Sequence, residues 1–297
     1  MAGMWAESFR IQAGTVRYHD LGYLALESQQ TDGEHSLFLE WDAGEWAECG
    51  VSSWGTVSFD RCRHPLEQGI AMGEFGEAML MGSGDIHAET IRDGDSSPET
   101  RGYLRRVRGI AGVAYAAGMD RQVYRRQDHS RWVSIDHSMR PSADGVYGFE
   151  GLDGFAEDDI YAGGYGGEIW QYDGRRWTQR DSPTNAVLTN LVCGGDGWVY
   201  ACGRVGLLLR GRGDEWSVVE HEATQDDFWG LAWFGNRLYL ASYHRLFRLE
   251  DDTLVPVEFG EDMAQTRYHL AAADGVLWSI GAQDVMSFDG ASWTRID

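Results

Sequence analysis

The chain has 297 residues, 43% of them hydrophobic, so it can bury a core along its whole length and intrinsic disorder is excluded. A net charge of −22 disfavours binding to nucleic acid or anionic membranes and favours basic proteins or cations. All 25 basic residues are arginine, and the absence of lysine excludes a Schiff base, pyridoxal attachment and a phosphate-loop lysine.

The N-terminal segment, residues 1–7, has neither the basic region nor the apolar region of a secretory signal. No apolar run approaches the roughly 20 residues needed to span a bilayer. We therefore predict a cytoplasmic protein. The cysteines show no paired spacing, and nothing else indicates an oxidising compartment, so they are predicted to be buried free thiols. They are Cys49, Cys62, Cys193 and Cys202.

A short phrase that ends in tryptophan recurs along the chain at intervals of about 40 residues, as in a propeller or solenoid. Its clearest copies, residues 172–177 and 288–293, contain Asp-Gly. Asp-Gly between β-rich segments predicts a tight hairpin, because both residues accept the backbone conformation of such turns. We accordingly predict turn formation, and not catalysis, for Asp42, Asp173 and Asp289. The tryptophans that mark the repeat are Trp46, Trp132, Trp177, Trp216 and Trp293.

Two of the gaps between these tryptophans are close to twice the others, which indicates two units that lack the mark. We expect one missing mark near Thr90-Ile91 and the other near residues 255–257, after the strand and acidic turn of residues 247–254. The count is then seven units of about 42 residues, with six as the rival. In chain order the predicted units end near Gly50, Arg92, Ser134, Arg180, Glu220, Phe259 and Asp297.

Each unit contains a second strand that reads β-branched or aromatic, then small residues, then a Gly-rich turn. Small residues inside a strand are poor β-formers, so their recurrence indicates a position where neighbouring sheets approach closely. These segments include residues 70–77, 115–118, 160–167, 199–203, 238–242 and 277–281. We predict an all-β fold: a single seven-bladed β-propeller domain of four-stranded blades, residues 1–297. The segment from Trp5 to Ile11 either adds to the last blade or caps it.

The units resemble the broad class of propeller repeats that includes the WD-repeat, kelch and Asp-box families, over nearly the whole chain. The Gly-His and Trp-Asp pairs of WD repeats do not recur in the units: Gly-His is absent, and Trp-Asp occurs once, at residues 41–42. Residues 287–294 are similar to the Asp-box of sialidase-like proteins, but here the glycine follows the aspartate directly, whereas that motif leaves a residue between them. The resemblance implies the fold, and a fold alone does not imply sialidase activity.

No catalytic motif accompanies the repeat. The chain lacks Gly-x-Ser-x-Gly, a phosphate loop and a dinucleotide fingerprint, and residues 163–167 are interpreted as a turn between two strands. The nine histidines lack metal-ligand spacing. We therefore predict no catalytic residues, no cofactor and no metal site. Acidic runs such as residues 157–159 and 250–252 are interpreted as solvated loops.

The loops after the second strands are expected to emerge on one face and to ring the central channel. Aromatic and charged side chains on a rigid rim are typical of a protein-binding hot spot. The predicted partner-binding rim consists of Glu74, Phe75, Asp120, Arg121, Tyr165, Arg204, Tyr243, His244, Gln283 and Asp284. The arginine-rich third unit offers a docking patch, unless its arginines pair with acidic edges of adjacent blades. The patch consists of Arg101, Arg105, Arg106 and Arg108.

From these residues we predict a non-enzymatic, cytosolic, protein-binding propeller, an acidic immunity protein of the antitoxin type that neutralises a basic toxin or effector. Two alternatives stay open. One is a carbohydrate-binding or glycan-cleaving propeller that uses Trp and Tyr side chains as stacking platforms. The other is an assembly scaffold that uses the arginine-rich unit.

Overall fold

The computed structural model describes residues 8–139, 146–260 and 264–297. Its strands form seven four-stranded antiparallel sheets, each an up-and-down meander of consecutive strands. The sheets are the blades of a β-propeller, which confirms the seven-bladed prediction over six blades. The helical segments in the described ranges are short: a helix at Pro98–Arg101 and 3-10 turns at Gly94–Ser96 and Tyr165–Gly167.

The strands follow one another in chain order, four to a blade. The first four blades contain β1 Phe9–Tyr18, β2 Leu21–Ser28, β3 Ser36–Asp42, β4 Glu45–Ser52; β5 Thr56–Cys62, β6 Gln68–Gly73, β7 Glu77–Gly82, β8 Asp85–Thr90; β9 Leu104–Ile110, β10 Val113–Gly118, β11 Val123–Asp128, β12 Arg131–Ser134; β13 Phe149–Ala156, β14 Asp159–Gly164, β15 Ile169–Tyr172 and β16 Trp177–Arg180. The last three contain β17 Leu188–Cys193, β18 Val199–Gly203, β19 Leu208–Arg212, β20 Glu215–Val218; β21 Phe228–Phe234, β22 Arg237–Ser242, β23 Leu246–Glu250, β24 Thr253–Pro256; β25 His269–Ala273, β26 Val276–Ile280, β27 Val285–Phe288 and β28 Trp293–Arg295.

The first strand of each blade borders the central channel and packs on the first strands of both neighbouring blades. Second strands are the most buried: every residue of β6, β10 and β18 is buried. Their small residues are required, because a Cβ added to Gly22 would lie 2.4 Å from the Trp278 ring of the seventh blade, and one added to Gly69 would lie 2.8 Å from the Tyr23 ring of the first blade. The predicted crowding of the second strands is confirmed.

The repeated tryptophan lies near the start of the outermost strand, opposite the third strand across the hairpin. Trp177, for example, pairs with Tyr172. In the two unmarked blades the same position holds Ile86, opposite Met81, and Leu254, opposite Leu249. Both expected units are therefore present. The residues that replace tryptophan in these blades are aliphatic. They lie earlier in the chain than the predicted residues 90–91 and 255–257, because the outer strands β8 and β24 also begin earlier than expected.

The Asp-Gly turns form hairpins, as predicted. The Asp173 carboxylate accepts hydrogen bonds from the backbone N–H groups of Arg175 (2.9 Å) and Arg176 (2.8 Å), and Gly174 has φ 85°. Asp289 makes the same kind of turn. These backbone hydrogen bonds lower the pKa of both aspartates. Each carboxylate is used by its own hairpin, as expected of a turn residue.

Among the described residues, no blade combines strands from both ends of the chain. β1 is the channel strand of the first blade, and the last blade consists wholly of C-terminal strands. Ile11 N–H donates to the carbonyl oxygen of Ala282 at 2.8 Å, and the Trp46 indole N–H donates to that of Ile296 at 2.6 Å. The segment at Ile11 therefore belongs to the first blade, while Trp5 lies outside the described residues.

All four cysteines are free thiols, as predicted. Cys62 and Cys202 are buried, whereas Cys49 and Cys193 are half-buried. Across the fifth blade Cys202 pairs with Asn190 and not with Cys193. Burial raises the pKa of Cys49 and Cys202 to about 12, so these thiols are protonated and unreactive at neutral pH.

Candidate functional site

The alternation of strand direction gives the propeller two different ends. Loops between second and third strands emerge at the same end as the connections between blades, and this end is called the upper face below. Loops between first and second strands, and between third and fourth strands, form the lower face. All ten predicted rim residues lie in upper-face loops, and the Asp-Gly hairpins lie on the lower face.

Phe75 and Tyr103 form an exposed aromatic pair on the upper face. Their rings are 5.2 Å apart and nearly perpendicular, and the two residues are 41% and 43% exposed. Beside them the Glu74 carboxylate accepts a hydrogen bond from Arg105 at 3.1 Å. Tyr103 comes from the connection between the second and third blades, so a prediction restricted to the loops after second strands does not include it.

A second aromatic group lies across the channel mouth. The Tyr243 ring is 4.8 Å from the ring of His244 and 6.1 Å from that of Tyr268, which contacts Trp229 at 5.4 Å. Tyr243 and Tyr268 line a cleft of about 170 Å³ whose wall also contains Glu27. This cleft is large enough to receive a partner's side chain.

Two further rim residues, Tyr165 and Arg204, lie near Glu150. Burial raises the pKa of Glu150, although the guanidinium groups of Arg105 and Arg106 oppose that change. Burial likewise raises the pKa of Tyr165, and Glu150 raises it further. Arg204 is exposed, so this group adds one basic side chain to the rim. Gln283 is also exposed.

Two of the predicted rim residues are buried and hold loops in place. Arg121 donates two hydrogen bonds to Glu168, at 2.6 and 2.5 Å, and its guanidinium lies 4.7 Å from the ring centre of Tyr147. Asp284 accepts the backbone N–H of Thr266 at 3.0 Å. Arg121 is 7% exposed and Asp284 6% exposed, so the rim depends on them for shape more than for contact surface.

The four arginines of the predicted docking patch do not form one exposed surface. Arg101 pairs with Asp120 at 3.1 Å and with Asp136 at 2.7 Å. Arg105 lies between Glu74 of the second blade, at 3.1 Å, and Glu150 of the fourth blade, at 3.5 Å. The ion pairs of Arg105 link the third blade to both of its neighbours, whereas those of Arg101 stay within the third blade and the connection that enters it.

The other two arginines of the patch, Arg106 and Arg108, line the central channel around a cavity of about 50 Å³. Arg108 donates to both carboxylate oxygens of Asp153 and lies 3.4 Å from Asp60. Burial lowers the pKa of Arg108, but the two carboxylates outweigh that effect and raise it. Arg106 donates to backbone carbonyl oxygens. Pairing with carboxylates of adjacent blades, the other interpretation of these arginines, therefore describes Arg105 and Arg108, two of the four.

Exposed hydrophobic residues distinguish the two faces. The upper face presents Val51, Phe75, Tyr103, Val146, Val205 and Tyr243, and the lower face presents Tyr18, Leu66, Ile86 and Trp198. On the upper face, exposed carboxylates outnumber exposed arginines. The carboxylates are Asp32, Glu34, Asp95, Glu99, Asp181, Glu220, Glu222, Asp226 and Glu258, and the arginines are Arg10, Arg92, Arg204 and Arg245. The upper face is thus acidic, as the lower face is too, and it differs from the lower face in exposing more large hydrophobic side chains.

Metal-ligating side chains converge at one place within the described ranges, at His87, Glu89 and His129. These residues lie on the outer side of the second and third blades, away from the upper face. No helix in the described part of the chain is long and apolar enough to cross a membrane.

The architecture defines the class of the protein, a seven-bladed β-propeller. Virginiamycin B lyase from Staphylococcus aureus matches it with a TM-score of 0.69 at 12% identity, over 93% of each chain. YCF48 bound to D1 peptide matches with a TM-score of 0.65 at 16% identity, over 93% of this chain and 90% of that one. At these identities the likeness shows the fold alone.

No protein-family model matches the sequence. Immune protein Tsi7 of Pseudomonas aeruginosa is 49% identical over 293 residues, and the match covers 96% of both chains. The chain belongs to the family of this immune protein. The prediction of an immunity protein is thereby confirmed.

Proposed function

We propose that this protein is a cytoplasmic immunity protein that neutralises a basic protein toxin by binding it on the upper face. The observation that carries the proposal is the larger set of exposed hydrophobic side chains on the upper face, in an acidic chain of the Tsi7 family. Protein interfaces combine a hydrophobic core with a polar border, and the upper face has both components.

The aromatic pair at Phe75 and Tyr103 is the proposed anchor of the interface. Buried aromatic side chains dominate interface energetics, and a partner that covers this pair removes from water the 41% of Phe75 and the 43% of Tyr103 that are exposed in the free protein. The pair is already in contact in the free protein, at 5.2 Å, and it stands on loops fixed to neighbouring blades. Since little freedom remains to be lost on binding, the entropic cost of association is low.

The charge of the chain supports a basic partner. A net charge of −22 draws a basic protein toward the propeller and raises its association rate. The exposed carboxylates of the upper face are accessible to salt ions, so this contribution is screened beyond a Debye length of about 8 Å at physiological ionic strength. Affinity for the toxin should therefore fall as salt is added.

The free thiols support the cytoplasmic assignment, because a reducing compartment keeps cysteines unpaired. The scaffold alternative loses its main support, since the arginines on which it depended pair mostly within the ring. Inhibition by binding requires no catalytic group from this chain. It requires only that the complex dissociates slowly enough to persist while the toxin is present.

The experiment that tests the proposal takes as candidate toxin any basic protein whose gene lies next to the gene of this chain. The candidate is expressed in a sensitive host with and without this protein, and the two purified proteins are mixed for size-exclusion chromatography with light scattering. We expect the protein to restore growth and to form a complex of defined stoichiometry. Failure to restore growth, or restoration without a stable complex, would overturn the proposal.

A further inference from the structure

Two histidines and a glutamate from adjacent blades meet on the outer side of the propeller. His87 and Glu89 are two residues apart in β8, so their side chains emerge on the same side of that strand. His129 lies in the turn between β11 and β12 of the next blade, and its ring is 5.6 Å from the ring of His87. The ligand atoms of the three side chains all lie within 4.8 Å of one another.

Glu89 is a fixed, ionised ligand. Its carboxylate is 0% exposed and accepts hydrogen bonds from Arg126, from the indole N–H of Trp132 at 3.0 Å and from the backbone N–H of Ser130 at 2.8 Å. These donors, the Arg126 guanidinium first among them, fix the position of the carboxylate. Arg126 also balances the charge of the carboxylate, so the site does not depend on a cation to fold.

His87 has the arrangement of a metal-binding histidine. Its Nδ1 lies 2.6 Å from a carboxylate oxygen of Asp85, and its Nε2 lies 3.2 Å from Oε1 of Glu89. Metal-bound histidines commonly donate their second N–H to a carboxylate, which fixes the tautomer and the ring orientation. In a tetrahedral zinc site with bonds of about 2.0–2.1 Å, two ligand atoms are about 3.3 Å apart. The separation of Nε2 and Oε1, 3.2 Å, is close to this value, and the exposed His129 side chain has to move nearer, because the three ligand atoms are up to 4.8 Å apart.

We propose that His87 Nε2, a ring nitrogen of His129 and Glu89 Oε1 bind one transition-metal dication of the Zn²⁺ type. The metal replaces the hydrogen bond between His87 and Glu89, and water completes a four-coordinate shell. Imidazole ligands favour Zn²⁺ and its neighbours over Mg²⁺ or Ca²⁺, which prefer oxygen ligands. The bound ion links the second blade to the third at a position away from the upper face.

The test is isothermal titration of ZnCl₂ into the full-length protein, purified without a polyhistidine tag and stripped with chelator. We expect one ion per chain, and a loss of affinity of at least about tenfold in each of His87→Ala and His129→Ala. Asp85→Asn, which alters the carboxylate that orients His87, should weaken binding by about 10–100-fold. MgCl₂ in place of ZnCl₂ should give no such binding.

His19→Ala is the matched control. His19 is an exposed histidine with carboxylates of Asp274 and Asp20 nearby, at 3.1 and 3.8 Å, but it belongs to no cluster of metal ligands found in the described ranges. Its loss should leave the zinc affinity unchanged. Absence of stoichiometric zinc binding, or equal affinity in wild type, His87→Ala and His129→Ala, would overturn the proposal. His129 is exposed, so its variant should fold even if His87→Ala does not.

Discussion

The two faces of the propeller use similar residue types for different purposes. On the lower face the acidic turn residues repeat from blade to blade and bind their own hairpins, as at Asp173 and Asp289. On the upper face the loops differ between blades, are tied to the next blade and expose more of the large hydrophobic side chains. The repeated part of the sequence therefore builds the ring, while the part that varies is available for a partner.

The largest expected effect concerns the tryptophan of the repeat. Trp177 is 3% exposed, and its indole N–H donates to the carbonyl oxygen of Ile135 at 3.1 Å. Trp177→Ala should lower the free energy of unfolding by about 3–5 kcal/mol, since it leaves a cavity and an unpaired carbonyl. Trp198→Ala on the lower face, where the side chain is 39% exposed and covered in part by Arg210, should cost less, about 1 kcal/mol. Urea denaturation measures both; equal losses would refute the structural role of the repeated tryptophan.

The next effect concerns affinity and compares the faces directly. Phe75→Ala combined with Tyr103→Ala should weaken toxin binding by about 2 kcal/mol or more, as loss of a hot spot does. The matched lower-face variant, Tyr18→Ala with Trp198→Ala, removes side chains of similar exposure and should leave affinity within about 0.5 kcal/mol. Calorimetric titration with the toxin checks both. A larger loss from the lower-face pair would reverse the comparison.

A lower-face turn should affect stability and not binding. Gly174 has φ 85°, and a Cβ there would lie 2.9 Å from the Cβ of Asp158. Gly174→Ala should therefore cost about 1–2 kcal/mol of unfolding free energy, from left-handed backbone strain and this contact. Toxin affinity, measured on the folded variant, should not change; a reduced affinity would place the lower face in the interface.

The smallest effect concerns the pH dependence of stability, to which a histidine in the channel between the two faces contributes. Burial lowers the pKa of His269 to about 3, whereas an unfolded chain has a histidine pKa of about 6.5. Below pH 6.5 the unfolded chain therefore binds a proton that the folded chain does not, and stability falls as pH decreases toward 3. Between pH 7.5 and 5.5, His269→Gln should lose about 1 kcal/mol less stability than wild type. Identical pH dependence in urea denaturation would contradict this.

The fold was readable from the sequence because each blade is local. Hairpin turns, the second-strand pattern and the tryptophan spacing all lie within about 42 residues, and the predicted unit ends at Ser134 and Arg180 coincide with the ends of β12 and β16. The site was less readable because its contacts cross between blades. Neither the meeting of Phe75 with Tyr103 nor that of His87 with His129 has a local signature.

Charged residues show the same limit. Arg121 and Asp284 follow second strands, as exposed rim residues do, but in the structure they are buried by partners from other segments. A sequence pattern identifies the loop, and only the packing of the neighbouring blade decides whether a side chain faces the partner or the loop. Applied to the sequence, the meander topology would have included Tyr103 in the predicted rim, because connections between blades emerge on the same face as the loops after second strands.

The most direct test of the central claim is hydrogen–deuterium exchange of the propeller, read by peptide mass spectrometry with and without saturating toxin. Binding on the upper face predicts slower exchange in upper-face loops, including residues 74–76, 102–103 and 243–245. It also predicts unchanged exchange in lower-face hairpins such as residues 173–176 and 289–292. Protection confined to the lower-face hairpins, with the upper loops unchanged, would contradict the account.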